Sequence, residues 1–524
     1  MDIFERRTHG RRSTAQVSTC AAPRRKTSAR SPFLMFGRMS GWLLGSMLCA
    51  ALASCAHTQQ TELTGWFRDF NSCRDEYAAM DARVAAAGVG DAAYYHVPGY
   101  PYLRTNRVLA SFRNEVEGVN QVGGWIRQMR ELDQEAREYE YINLGMTIKE
   151  AAIQRFRFLN CGRALASVDL DEPAGYAHLL SVVQPADEYS TLARTIGLYP
   201  LAVPLMRSQL SAKREADMRE LTLPVDELSA SAPLWLWSVK PVEDLGLLSN
   251  AYARAVPDEL GMPGLVDSEW RALAEYYAPR LWIETADDGD WPAAPQLTPG
   301  GPAADPAQPL VNYQINFTRF HGAGLVQISY FVWFKGTKAA GAAGALDGFI
   351  WRVTLDTRGQ ALVYESLHQS GSDHRWFPAQ PLALRGASAY WEEPPLVIPG
   401  LAPTRFATLR LAAGTHALQH VTAPEQAQGA SPRQYELRRY EDLFTLPYPD
   451  GGTRSLFDPD GRVKDTYSPD PLGWIGSGLR QPGVLRQYGH HAIAHIGRSH
   501  FDDAFLLETV FAPEWRPNTL VVLQ

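Results

Sequence analysis

The sequence predicts an α+β protein: a helical N-terminal half followed by an antiparallel β-sheet C-terminal half, arranged as a sandwich or a curved sheet. Three observations predict it. Apolar residues recur at three- and four-residue steps up to about residue 285, a proline- and glycine-rich stretch occupies 291–309, and beyond it the apolar period falls to two. With 524 residues, 45% hydrophobic and 20% charged, the chain can bury a sizeable core and is too apolar to be disordered or collagen-like.

Taken in order, residues 1–34 hold eight Lys/Arg and no apolar segment, and are expected to be a disordered upstream extension. Residues 35–54 read as a signal peptide. Arg38 supplies the positive region, and the apolar stretch Trp42–Leu52, at 11 residues, is too short for the roughly 20 that a spanning helix needs. Leu52, Ala53, Ser54 and Cys55 then resemble the lipobox of bacterial lipoproteins, which implies that the cysteine becomes a diacylglyceryl cysteine and the new N-terminus. Cys55 is the expected lipidation site, and its acyl chains, palmitate among them, the expected contact with the lipid bilayer, at about 0.8 kcal/mol per buried methylene. Ala56, where aspartate would retain a lipoprotein in the inner membrane, favours the outer membrane and a periplasmic face.

Residues 1–54 carry nine Lys/Arg against two Asp/Glu (+7), which with the overall charge of -7 leaves -14 on the rest. That acidity argues against a nucleic-acid partner. Cys20 and Cys49 leave with the leader and Cys55 is acylated, so Cys73 and Cys161 remain. In an oxidising periplasm they are expected to form a disulfide closing a loop of roughly 90 residues, worth about 4 kcal/mol by chain entropy. The alternative is two buried free thiols.

Residues 55–290 are expected to be mainly helical. Phe67, Phe70, Cys73, Tyr77 and Met80 share one face of a helix that ends before Gly88, and similar patterns cover Thr105–Val116, Trp125–Tyr141, Thr147–Ala166, Tyr189–Leu198, Leu205–Leu221 and Ser268–Tyr277. Thr147 and Glu150 fit a capping box. The aromatic-proline run Tyr94–Arg104 suits a packed corner between helices better than a stacking platform for a ligand. The stretch 291–309 is expected to be a loop or linker.

Residues 310–524 are expected to be the antiparallel β-rich domain. Val311 to Phe317 alternate, a turn at His321–Gly324 follows, and Leu325–Phe334 returns; Phe349–Leu355 and Ala361–His368 flank a second turn, Arg405–Leu411 and Thr415–Val421 a third. Lys335–Ala345 reads as a flexible insertion.

Nine of the 13 histidines lie after residue 320. His368 and His374 flank a glycine-containing turn with Asp373; His490, His491 and His495 stand just before His500, Asp502 and Asp503, and a strand over 490–496 would put His491 and His495 on one face. Imidazoles and carboxylates so grouped can hold a divalent metal or exchange protons near neutrality, or serve only as hydrogen-bonded partners. The candidates are His368, His374, His491 and His500 as metal ligands, with Asp502 or Asp503 as the catalytic base. No G-x-S-x-G, H-E-x-x-H, P-loop or G-x-G-x-x-G motif is present, and Asp458–Gly461 reads as a turn.

Val97–Arg104 with Leu109–Phe112, Gln327–Tyr330 running to Trp333 and Phe334, Leu346–Gly348 with Trp351–Leu355, and His495–Asp503 with Leu506–Glu508 together resemble an uncharacterised family of proteobacterial envelope proteins, over most of residues 60–515. The resemblance implies location and shared architecture, not a reaction. The family pattern places two cysteines between the histidines of the 368–374 loop, where this chain has Ser370 and Ser372, so a metal site or a vicinal redox pair built on those cysteines would be lost here. The leading expectation is an outer-membrane lipoprotein with a binding or structural role in the envelope. The alternative is a metal-dependent periplasmic hydrolase using the C-terminal His/Asp clusters.

Overall fold

The computed structural model describes residues 70–512 apart from 197–198, 240–251, 253, 337–345, 387–391, 400, 402–406, 423–431 and 467–476. The leader, the lipobox with Cys55 and most of the insertion at 335–345 lie outside the described residues. Contacts divide the chain into Met1–Phe67 and Arg68–Gln524, and every described residue belongs to the second unit. Among the described residues no helix is long and apolar enough to cross a membrane.

The fold is α+β, with helices in the first half and most of the strands in the second. Helix α1 (residues 70–87) turns Tyr77, Met80 and Val84 inward. A hairpin follows, β1 (Tyr95–Val97) with β2 (Tyr100–Thr105). This is the aromatic-proline run. Tyr100 and Tyr102 are buried in the helical core, which makes it a packed corner rather than a platform. Arg104, wholly buried on β2, meets Asp133 (3.3 Å) and Glu140 (2.7 Å) on the following long helix.

Helix α2 (Arg107–Ser111) is shorter than the expected Thr105–Val116, because Thr105 completes β2 and the Asn106 side chain accepts from the Leu109 amide at 2.8 Å to start the helix. Helix α3 (Gly118–Asn143) extends the expected Trp125–Tyr141 at both ends, and α4 (Ile148–Asp169) opens on the Thr147–Glu150 capping box. Helix α5 (Pro173–Val182) escaped the periodicity reading; proline occupies its first turn, where a missing amide donor costs nothing. Helix α6 (Thr191–Ile196) precedes α7 (Tyr199–Leu221), which begins earlier than Leu205: Pro204 forfeits one donor, while Ala202, Val203, Met206 and Leu210 keep a buried face across it. The sulfurs of Cys73 on α1 and Cys161 on α4 lie at disulfide distance, 1.96 Å, with Cα atoms 5.3 Å apart.

Two large sheets dominate the remainder. The chain supplies β3 (Leu234–Ser238), α8 (Asp267–Tyr277) and β4 (Arg280–Glu284) before the proline-rich stretch. That stretch, expected as loop or linker, contains a two-stranded hairpin of β5 (Ala294–Thr298) and β6 (Gly301–Asp305) that joins neither large sheet. Then come β7 (Leu310–Phe320), β8 (Ala323–Lys335), β9 (Leu346–Leu355), β10 (Ala361–His368), β11 (Arg375–Pro378), β12 (Thr408–Leu411), β13 (Leu418–Thr422), β14 (Arg433–Gln434), β15 (Glu436–Arg439) and the short helix α9 (Leu506–Val510).

The larger sheet has the order β11-β10-β9-β8-β7-β15 and the smaller β13-β12-β4-β3-β14. The hairpin pairs are antiparallel as expected, but β12 runs parallel to β4, β14 to β3 and β15 to β7, so both sheets are mixed. Val326, Ile328, Tyr330, Val332 and Phe334 of β8 share a core with Trp237, Leu281, Ile283, Leu409 and Leu411 of the smaller sheet. The alternate residues Leu325, Phe331 and Trp333 are buried on the other face, against Tyr440, Phe444 and Leu506 among others. Because β8 and β9 are covered on both sides, their sequences are apolar runs rather than clean alternations.

Candidate functional site

Two of the C-terminal histidines, His368 and His416, meet on one carboxylate, Asp347. In register, His368 at the end of β10 faces Phe349 on β9, which brings it beside Asp347, two residues earlier on the same strand. Nε2 of His368 lies 2.8 Å from Asp347 Oδ1, and Nδ1 lies 2.7 Å from Ser370 Oγ. The second oxygen of Asp347 meets Nδ1 of His416 at 2.7 Å, in the turn between β12 and β13. His416 stacks on Phe334 with ring centroids 4.0 Å apart, and its Nε2 faces Asp290 Oδ1 at 3.4 Å. The result is an alternating line Ser370, His368, Asp347, His416, Asp290.

Charges in this line settle one another. Burial opposes ionisation of Asp347, yet hydrogen bonds from His368 and His416 outweigh it and hold the carboxyl well below the usual range. Burial likewise opposes a charge on His368 and His416, and their carboxylate partners raise both above the ordinary imidazole value. Asp290, despite burial, is held down at about 2 by His416 and by the amides of Gly414 and Ala286.

His374 goes elsewhere. Its Nε2 lies 3.0 Å from Glu365, a wholly buried carboxylate on β10 that Arg352 of β9 grips with Nε at 2.7 Å and Nη2 at 2.5 Å. Burial keeps His374 below the ordinary value in spite of Glu365.

The 490–496 segment is not a strand, contrary to expectation. It folds back on itself, with Ala492 bridging His500, the Ile493 amide donating to Ser499 O and the Phe501 amide to His491 O. His491 and His495 therefore do not share a sheet face. His491, fully buried, bonds Gln369 O through Nε2 at 3.1 Å; burial, reinforced by Arg486 and His490, drops it to about 3. Nε2 of His500 accepts from the Glu188 amide at 3.4 Å, and burial pushes this group well below the ordinary value. Asp502 and Asp503 meet Arg107 at 3.1 and 3.7 Å; burial raises both, Asp503 to about 6. They close α2 onto the C-terminal segment.

The four expected metal ligands thus address four different partners. Among the described residues no group of three or more His, Cys, Asp or Glu side chains is arranged to hold a metal ion. His368 and His374 flank one loop and His491 touches its backbone, but each ring is committed to its own hydrogen bonds.

What that loop does border is a cavity of about 880 Å3. Its walls come from α7, the 370–376 segment, residues 385–386 and 392–396, the 483–499 segment and α9, with Ser370, Ser372 and His374 among the lining side chains. Lys213 Nζ on α7 meets Asp373 at 2.6 Å and Arg375 meets Asp217 at 3.0 Å, so ion pairs fasten the loop to the helix. Gly371, at φ 95°, lies so close to the 490–500 segment that a Cβ there would stand 2.4 Å from Ala492 O. Asp347, His416, Ser370 and Ser372 were not among the candidates. A nearby carboxylate on the next strand and two serines between histidines were the available signals, visible once β9 and β10 are paired. Compared with family models, curated proteins and solved structures, the chain finds no match.

Proposed function

We propose that the protein is an outer-membrane-anchored, periplasm-facing lipoprotein whose folded body is a ligand-binding module of the cell envelope. The observation that carries the binding role is the cavity of about 880 Å3, within the size range that encloses small organic ligands. Its wall mixes apolar side chains such as Leu210 and Trp376 with charged ones such as Lys213 and Glu393, which suits a ligand with both apolar surface and polar groups. The location is supported by the lipobox at Cys55, by the resemblance to proteobacterial envelope proteins, and by the proximity of Cys73 to Cys161, a pair suited to an oxidising compartment. The metal-dependent alternative draws no support from the arrangement of its histidines.

The test is expression with the native leader in a bacterium that has an outer membrane. The wild type is expected in the outer-membrane fraction with a diacylglyceryl mass on Cys55, and Cys55→Ser outside that fraction. Native mass spectrometry of the wild type in mild detergent should show a co-purifying molecule that Ser372→Trp, which places an indole inside the cavity, displaces. An unmodified polypeptide starting at Met1 would overturn the location, and a ligand retained equally by this variant would overturn the binding site.

A further inference from the structure

We propose that Ser370 is a nucleophile, with His368 as its general base and Asp347 positioning that base, and that the cavity receives a carboxylic ester. The proposal rests on the cavity of the binding reading and not on the lipid anchor.

Ser370 Oγ stands 2.7 Å from His368 Nδ1, and His368 Nε2 stands 2.8 Å from Asp347 Oδ1. The backbone amide of Ser370, which can only donate, also points at Nδ1, at 3.2 Å. Nδ1 is therefore the nitrogen with the free lone pair, and Nε2 carries the hydrogen that Asp347 accepts. In this tautomer an imidazole can take the hydroxyl proton while the carboxylate steadies the cation that forms. Asp347 is itself fixed, since its other oxygen is held by His416 at 2.7 Å and its side chain is only 2% exposed.

Access runs the right way. Ser370 and Ser372 line the cavity, whereas Asp347 lies behind His368 in the sheet. Ser372 Oγ lies 3.2 Å from Ser370 Oγ, and either hydroxyl can donate in that contact; once Ser370 Oγ is acylated, the Ser372 hydroxyl is free to donate to the neighbouring tetrahedral oxyanion. The group is recognised by its geometry, because its chain order, Asp347, His368, Ser370, matches no local nucleophile motif.

The chemistry balances with water as the only co-reactant. Ser370 Oγ attacks the ester carbonyl carbon as its proton passes to His368 Nδ1, and the carbonyl π pair moves to oxygen. Collapse re-forms the carbonyl and breaks the bond to the leaving alkoxide, which takes the proton from Nδ1 and departs as the alcohol. Water then gives a proton to Nδ1 as its oxygen attacks the acyl-serine. The second collapse expels Ser370 Oγ, which recovers that proton, and releases the carboxylic acid.

Full-length protein in mild detergent, treated with a fluorophosphonate probe, should gain one adduct, mapped by peptide mass spectrometry to Ser370. Ser370→Ala should lose the adduct with an unchanged circular dichroism spectrum, and Ser372→Ala, lacking only the neighbouring hydroxyl, should label more slowly but still at Ser370. Hydrolysis of 4-nitrophenyl butyrate should fall about 100-fold or more in Ser370→Ala. Asp347→Asn should lower kcat with KM held, as expected of a residue acting through the base. The proposal is overturned by a folded wild type that takes no label, by labelling that survives in Ser370→Ala, or by labelling lost only in Ser372→Ala. None of these outcomes bears on acylation of Cys55 or on retention of a ligand.

Discussion

Arg352 and Glu365 are both wholly buried and joined by two hydrogen bonds, with the guanidinium also donating to Phe501 O at 2.6 Å. Removing one charge strands the other in a medium of low dielectric constant. Glu365→Gln is therefore expected to destabilise the protein by about 3 to 5 kcal/mol in urea unfolding, whereas an exposed pair such as Arg438 with Glu436 should cost under about 1 kcal/mol. His491 makes a pH-dependent counterpart. Its folded value of about 3 lies below the unfolded one of roughly 6.5, so the unfolded chain binds a proton that the folded chain refuses. Its contribution is intact above about pH 6.5 and declines as the pH falls toward 3. Replacing it by Gln should flatten the decline of stability between pH 6 and 4 by about 1.4 kcal/mol per pH unit, read from unfolding free energies across that range. His368 and His416 act oppositely. Their raised values give stability that is present below about pH 6.5 and lost as the pH rises through the folded values.

Among the elements, α1 and α4 are linked through Cys73 and Cys161. Replacing both with Ser is expected to lower unfolding stability by about 4 kcal/mol, and a thiol reductant should do the same to the wild type but not to the variant. The sequence made such local features readable. The Thr147–Glu150 cap is four residues of hydrogen-bond chemistry, and the pairs β7–β8 and β9–β10 are joined through tight turns with the apolar content that a buried sheet requires. Less readable were elements whose partners are remote in the chain. The parallel pairing of β12 with β4 depends on residues about 130 positions apart, and the 490–496 segment has strand-like composition but is pinned by Gln369, Glu188 and its own return to His500. The candidate site was half legible. His368 and His374 stand out as residue types, but Asp347 becomes a partner of His368 only through the strand register, and His416 only when the smaller sheet closes over Phe334.

Across the whole molecule, the helical and sheet-rich halves share buried charge. Glu188, just before α6, accepts from Arg462 at 2.9 Å and Arg486 at 3.0 Å and pairs with His490 at 2.9 Å, while Arg107 of α2 pairs with Asp502. A fragment of residues 310–524 would keep Arg462 and Arg486 without Glu188, and half a sheet without β3 and β4. It is expected to be insoluble, whereas the full chain should unfold in one transition on which circular dichroism and tryptophan fluorescence coincide. Two separable transitions would show that the halves fold independently.

The passage from Arg433 to Arg439 enters the smaller sheet alongside β3 and, after Tyr435, the larger one alongside β7. Tyr435 sits at the crossing, its amide donating to Ser238 O and its hydroxyl to Pro279 O. It works as a seam stitched through two cloths: neither can peel away while the thread is whole. Deuterium should therefore enter late at the amides of Tyr435 and Glu436, which donate to Ser238 O and Pro309 O, and a nick within the passage would let the two layers fray apart.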